Sequence, residues 1–179
     1  MKLLRTIRLD ASDTFIFERA AEPGEWAVPG AFAFWDRDPA ALQGKARAAF
    51  RAGFLGVASL GWSTLVQIVE ASAAERADLV EFLAQQMIAH FRAPDLAAAR
   101  NAAEEEVAFA ESLCSPPLDT LVAMHRAFDK GDVCETFRTL RPRAGQKPAR
   151  AFSFLAVEGE DDKPAEVVDL VGLPERGRK

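Results

Sequence analysis

Apolar positions along the chain change period several times, and each change marks an element. Leu3, Ile7 and Leu9 share one face of an extended segment, with Arg5 interrupting the alternation. Phe15 with Phe17, and Phe32 with Phe34, are each spaced by two, the period of a strand. Glu22-Pro23-Gly24-Glu25 and Pro29-Gly30 lie between these pairs as turn signals. The first third therefore predicts an antiparallel meander. Asp38 and Pro39 then suit an N-cap and a first helical residue, and Leu42, Ala46, Ala49, Phe50 and Gly53 follow on one helical face. Gly53 and Gly56 stop that helix, and one or two strands are expected in the charge-free run 52–69.

Ser72-Ala73-Ala74-Glu75 has the pattern of a capping box, in which the serine accepts from the glutamate's amide and the glutamate reaches back. Behind it Leu79, Val80, Leu83, Met87, Ile88 and Phe91 recur at helical spacing, the clearest periodic signal in the chain. Pro94-Asp95 starts a second helix with Leu96, Ala103, Val107, Ala110 and Cys114 as its stripe, and Ser115-Pro116-Pro117 ends it. So short a connection predicts an antiparallel helix pair.

Residues 121–140 return to strand spacing. Val122, Met124 and Phe128 lie on one side, Asp129-Lys130-Gly131-Asp132 forms the turn, and Val133 and Phe137 sit on the return strand. A helix over 118–128 is the competing reading. A loop follows around Pro142, Gly145 and Pro148, then a strand over 151–157, an acidic turn at 158–162, and a tail from 174 to 179 expected to fray. The order is that of an α+β domain spanning 1–173: an antiparallel sheet with one short helix and an antiparallel helix pair packed on one face.

Composition narrows the function without naming it. The 179 residues include 34 alanines, which inflate the 49% hydrophobic fraction. A net charge of -5 argues against nucleic acid as the partner. The 18 uncharged residues of 52–69 reach the length of a membrane span, but Gly53, Gly56 and Gly61 with four polar side chains suit a buried strand better. Cys114 and Cys134 have no framework spacing, and the amino terminus has no apolar signal core, so free thiols and a cytoplasmic setting are expected.

Familiar catalytic patterns are missing. Gly44-Lys45 lacks the upstream glycine of a phosphate loop, the 53–61 glycines do not form GxGxxG, and Leu65 stands where a nucleophile elbow needs glycine. No cofactor is therefore expected. Glu104, Glu105, Glu106 and Glu111 crowd one helix near His90, but neither histidine has a glutamate three residues before it, so a solvated face is expected rather than a metal centre. His125 and Cys134 sit on opposite arms of the expected hairpin and would form a thiol–imidazole pair only in one register. Arg138, Arg141, Arg143, Lys147 and Arg150 make the stretch 136–157 wholly basic, a surface for a phosphate or carboxylate. Trp26 and Trp35 are the candidate anchors for a partner.

The strings AEPGEWAVPGAFAFWD, GFLGVASLGWSTLVQIVEAS, AEEEVAFAESLC and FRTLRPR resemble a small family of uncharacterised bacterial proteins over residues 1–143. That resemblance implies a single unit up to the basic loop and carries no activity with it. Two functional expectations follow. One is a non-catalytic accessory or assembly protein, working through contacts with a protein partner or as a homodimer, with no nucleic acid and no membrane. The other is an anionic-ligand or enzymatic pocket between sheet and helices, with Arg141 or Arg143 neutralising the ligand and His125 or Glu104 titrating.

Overall fold

In the computed structural model, residues 1–129, 131–142 and 155–157 are described. Their backbone forms one antiparallel sheet of eight strands: β1 (Lys2–Thr6), β2 (Trp26–Val28), β3 (Phe54–Gly56), β4 (Trp62–Ser63), β5 (Leu65–Glu70), β6 (Leu121–Asp129), β7 (Asp132–Pro142) and β8 (Leu155–Val157). The spatial order is β4-β3-β2-β1-β5-β6-β7-β8. The helices are α1 (Ser12–Ile16), α2 (Gly44–Ala52), α3 (Ala73–Phe91) and α4 (Leu96–Ser112), with short 3-10 turns at Ala31–Phe34 and Pro39–Ala41. The architecture is α+β.

The helix pair forms where the pattern placed it. Ser72 Oγ accepts from the Glu75 amide at 3.2 Å and Glu75 Oε2 accepts from the Ser72 amide at 2.9 Å, closing the capping box. Asp95 caps α4 through the Ala98 amide. Arg76, at the start of α3, bonds Glu111 at the end of α4, so the two helices run antiparallel. Leu79, Leu83, Ala84 and Met87 meet Ala99, Ala103, Val107 and Ala110, and all eight are buried. Small side chains on α4 let the helices approach closely, and α4 lies against β1 and β2.

The hairpin is also as read, with Val122 opposite Thr139, Met124 opposite Phe137 and Phe128 opposite Val133. The helical alternative over 118–128 is therefore excluded. The charge-free run holds three strands, β3, β4 and β5, and no helix among the described residues is long and apolar enough to cross a membrane.

The expected meander of the first third is corrected. Phe15 and Phe17 belong to α1 and its cap, not to a strand; Phe15 is 75% exposed while Phe17 is buried. Asp13 fixes this turn by accepting from the Thr64 amide and hydroxyl. Phe32 and Phe34 lie on a 3-10 turn and serve different neighbours, Phe32 meeting Phe91 and Phe34 meeting Phe50 and Trp62. A spacing of two was a false strand signal: Phe17 and Phe34 join one cluster, Phe32 packs elsewhere on Phe91, and Phe15 stays at the surface. Asp38 does cap, but it caps the Pro39–Ala41 turn, and α2 starts only at Gly44.

Candidate functional site

Two clefts flank α2, and a buried polar group holds the frame between them. Arg126 is the key residue of that frame. Strand alternation puts it on the inward side of β6 with Val122 and Met124, and it is completely buried. Its guanidinium spends its donors on three chain segments: Nε to Glu135 Oε1 at 2.7 Å, Nη1 to the Phe50 carbonyl at 2.8 Å, and Nη2 to the Pro29 carbonyl at 2.7 Å. Phe50 O is one of the carbonyls near the end of α2 that the helix itself leaves without a partner. The next amide, Gly30, donates to Glu106 Oε1 at 2.6 Å. Gly30 has φ +76°, and a Cβ there would stand 2.6 Å from Leu55 Cβ, so only glycine makes this turn comfortably. Burial pushes the Glu106 carboxyl above its ordinary range, and the charge of Glu135 adds to this; the Gly30 amide and Arg126 pull the other way.

The first cleft holds about 420 Å³ between the segment at Glu18–Arg19, the Ala31–Phe34 turn and α2. Its floor is aromatic. Trp62 lies tilted against Phe34, with ring centroids 5.1 Å apart, and Phe91 closes one side. Trp62 is fixed by its backbone, which donates to the Arg19 carbonyl and accepts from the Ala21 amide, both at 2.9 Å, so segment 19–21 covers the outer edge of β4. This same pairing delivers Glu18 and Arg19 to the mouth. Arg37 and Lys45 complete the rim. Arg19 gives one donor to the Ser59 carbonyl and Lys45 one to the Phe17 carbonyl, leaving others for a ligand. Arg37 is exposed and has no side-chain partner among the described residues.

The second cleft, about 330 Å³, lies between α2 and β6 on the other side of the helix. Arg47 and Arg51 stand one helical turn apart, and His125 Nε2 lies 3.2 Å from Arg51 Nη2. Phe50 and Phe128 give it apolar walls.

The residues singled out in the sequence are scattered. His125 is exposed in the second cleft. Arg141 pairs by backbone with Ala156, five residues along β7 from Thr136, the cross-strand neighbour of His125, a separation of about 17 Å at strand rise. Arg143 and the rest of the basic loop, with the acidic turn at 158–162 and the tail, lie outside the described residues. Cys134 stands opposite Ala127, not His125. Cys114 is buried and its thiol is pushed up to about 11 by burial. Glu104 and Glu111 are engaged by Arg76, and among the described residues no three metal-ligating side chains gather. Trp26 is half-buried under the Arg5 guanidinium, 3.9 Å from its ring, whereas Trp35 is 62% exposed.

Arg126 and Glu135 escaped the sequence reading although the signal was present. The alternation that turned Val122 and Met124 inward also turned residue 126 inward, and the hairpin register set Glu135 opposite it. The rim of the first cleft had no such signal, because Arg19, Arg37 and Lys45 come from three separate elements.

A family model matches residues 1–162, well over half of the chain. The chain belongs to DUF6505, a family of unknown function. This agrees with the resemblance to uncharacterised proteins and extends it beyond residue 143. No curated protein and no solved structure matches the DUF6505 chain.

Proposed function

We propose that this protein is a non-catalytic binding protein whose first cleft takes a small anionic molecule with a flat apolar body. One observation carries the reading: an aromatic floor of Trp62 and Phe34 beneath a rim where Arg19, Arg37 and Lys45 converge from three elements. An apolar lining with a few convergent charged donors is how small-molecule sites combine affinity with orientation. Naphthalene-1-sulfonate is a suitable probe, followed by titration calorimetry, with naphthalene-1-methanol as the neutral control. Saturable, salt-sensitive binding of the sulfonate is expected, weakened about tenfold by Arg37→Ala, the loss of one charge-assisted contact. Equal affinity for both probes, or no effect of the substitution, would count against the reading.

A second reading, self-association, is favoured by Trp35, a large apolar side chain left 62% exposed. Sedimentation equilibrium should then show a dimer that Trp35→Ser dissociates. A monomer at millimolar concentration rejects it.

A further inference from the structure

We propose that the second cleft, between α2 and β6, is a separate binding site for a phosphate monoester carrying an apolar group. Three nitrogen-bearing side chains face this space from two elements. Arg47 and Arg51 stand at i and i+4 on α2, and His125 reaches in from β6. Like charges four apart on a helix repel, so the pair has a cost that a bound anion would relieve. No carboxylate lines the cleft among the described residues. Glu135, which the hairpin register brings near, is already bonded to Arg126, and Arg126 has given its remaining nitrogens to the Pro29 and Phe50 carbonyls. The next carboxylate along the chain from the lining, Asp38, is already bonded to the Ala40 amide at 2.9 Å, and neither Arg47 nor Arg51 has an ion pair with a carboxylate among the described residues.

Hydrogen-bond direction defines the site further. A guanidinium only donates, so in the 3.2 Å contact between Arg51 and His125 it is Nε2 that accepts. A phosphate monoester, with three terminal oxygens and up to two charges, can bridge two guanidinium forks; a carboxylate has only two oxygens and one charge to share. Apolar walls select the rest of the molecule. Phe50 is a buried residue of α2, Phe128 is 41% exposed at the cleft, and Pro39 and Ala40 also line it. The site is independent of the first cleft: Lys45, Ala46 and Ala49 point to one side of α2, and Arg47, Phe50 and Arg51 to the other.

Phenyl phosphate, titrated into the whole protein with its histidine ring signals followed by NMR, tests the assignment. His125 signals should move saturably while those of His90, which lines a different hollow, stay still. Benzoate should bind at least about tenfold more weakly, and Arg47→Ala or Arg51→Ala should each weaken phenyl phosphate at least about tenfold. Phe128→Ala should weaken phenyl phosphate but leave inorganic phosphate unchanged, and Arg37→Ala, in the first cleft, should alter neither. All the substituted residues are exposed, so the variants are expected to fold; Phe50 is buried beside Arg126 and is left intact for that reason. No saturable movement of His125 at millimolar phenyl phosphate, or an affinity in both arginine variants equal to that of the natural chain, overturns the proposal. Either failure leaves naphthalene-1-sulfonate binding in the first cleft untouched, so the two readings fall separately.

Discussion

The helix pair α3–α4 and the irregular stretch between β1 and β3 use arginine in opposite ways. On the pair, Arg76 bonds Glu104 and Glu111, and Arg100 bonds Glu81, side chain to side chain at the surface. In and around the irregular stretch, basic side chains go to backbone carbonyls: Arg5 to Gly24, Arg8 to Ala21, Arg19 to Ser59, Lys45 to Phe17, and Arg126 to Pro29 and Phe50. The difference follows from the backbone. A regular helix satisfies its own carbonyls except at its end, so its charges are free to pair on the outside, where each pair contributes about 0–1 kcal/mol. Short helices and 3-10 turns leave carbonyls over, and a buried carbonyl without a donor is expensive. Long cationic side chains supply the missing donors. Both clefts open on this stretch, because a chain that is held by side chains rather than by its own ladder leaves gaps between its turns.

Arg126→Met breaks the comparison most severely. It leaves the half-buried Glu135 carboxylate without its partner and strands two carbonyls, so a loss of about 3–5 kcal/mol is expected in urea unfolding. Hydrogen exchange sharpens the result. If the irregular stretch depends on the guanidinium, amides near Gly30 and at the end of α2 should lose more protection than those of α3 and α4. Equal loss in both regions would mean that the stretch and the helix pair open as one cooperative unit, and the contrast in how they are held would lose its consequence.

The same contrast decides what the sequence could say. The capping box at Ser72, the stripe from Leu79 to Met87 and the hairpin turn at Asp129 are local patterns with local causes, and each produced the element it announced. In the irregular stretch the causes are remote. Nothing near Asp13 indicates that Thr64 will hold it, and nothing near Pro29 indicates that its carbonyl belongs to Arg126. Alternation misled there, since the paired phenylalanines at 15 and 17, and at 32 and 34, are spaced like a strand but serve separate contacts. The candidate site inherits this: His125 was visible as a residue, while Arg47 and Arg51 gained meaning only once α2 lay against β6.

Glu106 gives the smallest and most selective test, because it belongs to the regular region yet serves the irregular one. It projects from α4 and accepts from the Gly30 amide, and burial raises its carboxyl above the ordinary value of 4.5. A raised acid binds its proton more tightly in the folded chain than in the unfolded one. Its favourable contribution is therefore complete below the ordinary carboxylate range and disappears as pH rises through the raised value. Glu106→Gln keeps an oxygen that can accept from Gly30 and removes the titration. Relative to the natural chain, the variant should gain stability as pH rises from the ordinary carboxylate range towards neutrality, read from urea midpoints taken across that window. Parallel curves for the two chains would mean that the Glu106 carboxyl titrates alike folded and unfolded. Its hydrogen bond to Gly30 would then tie the helix pair to the irregular stretch without placing a charge where burial resists it.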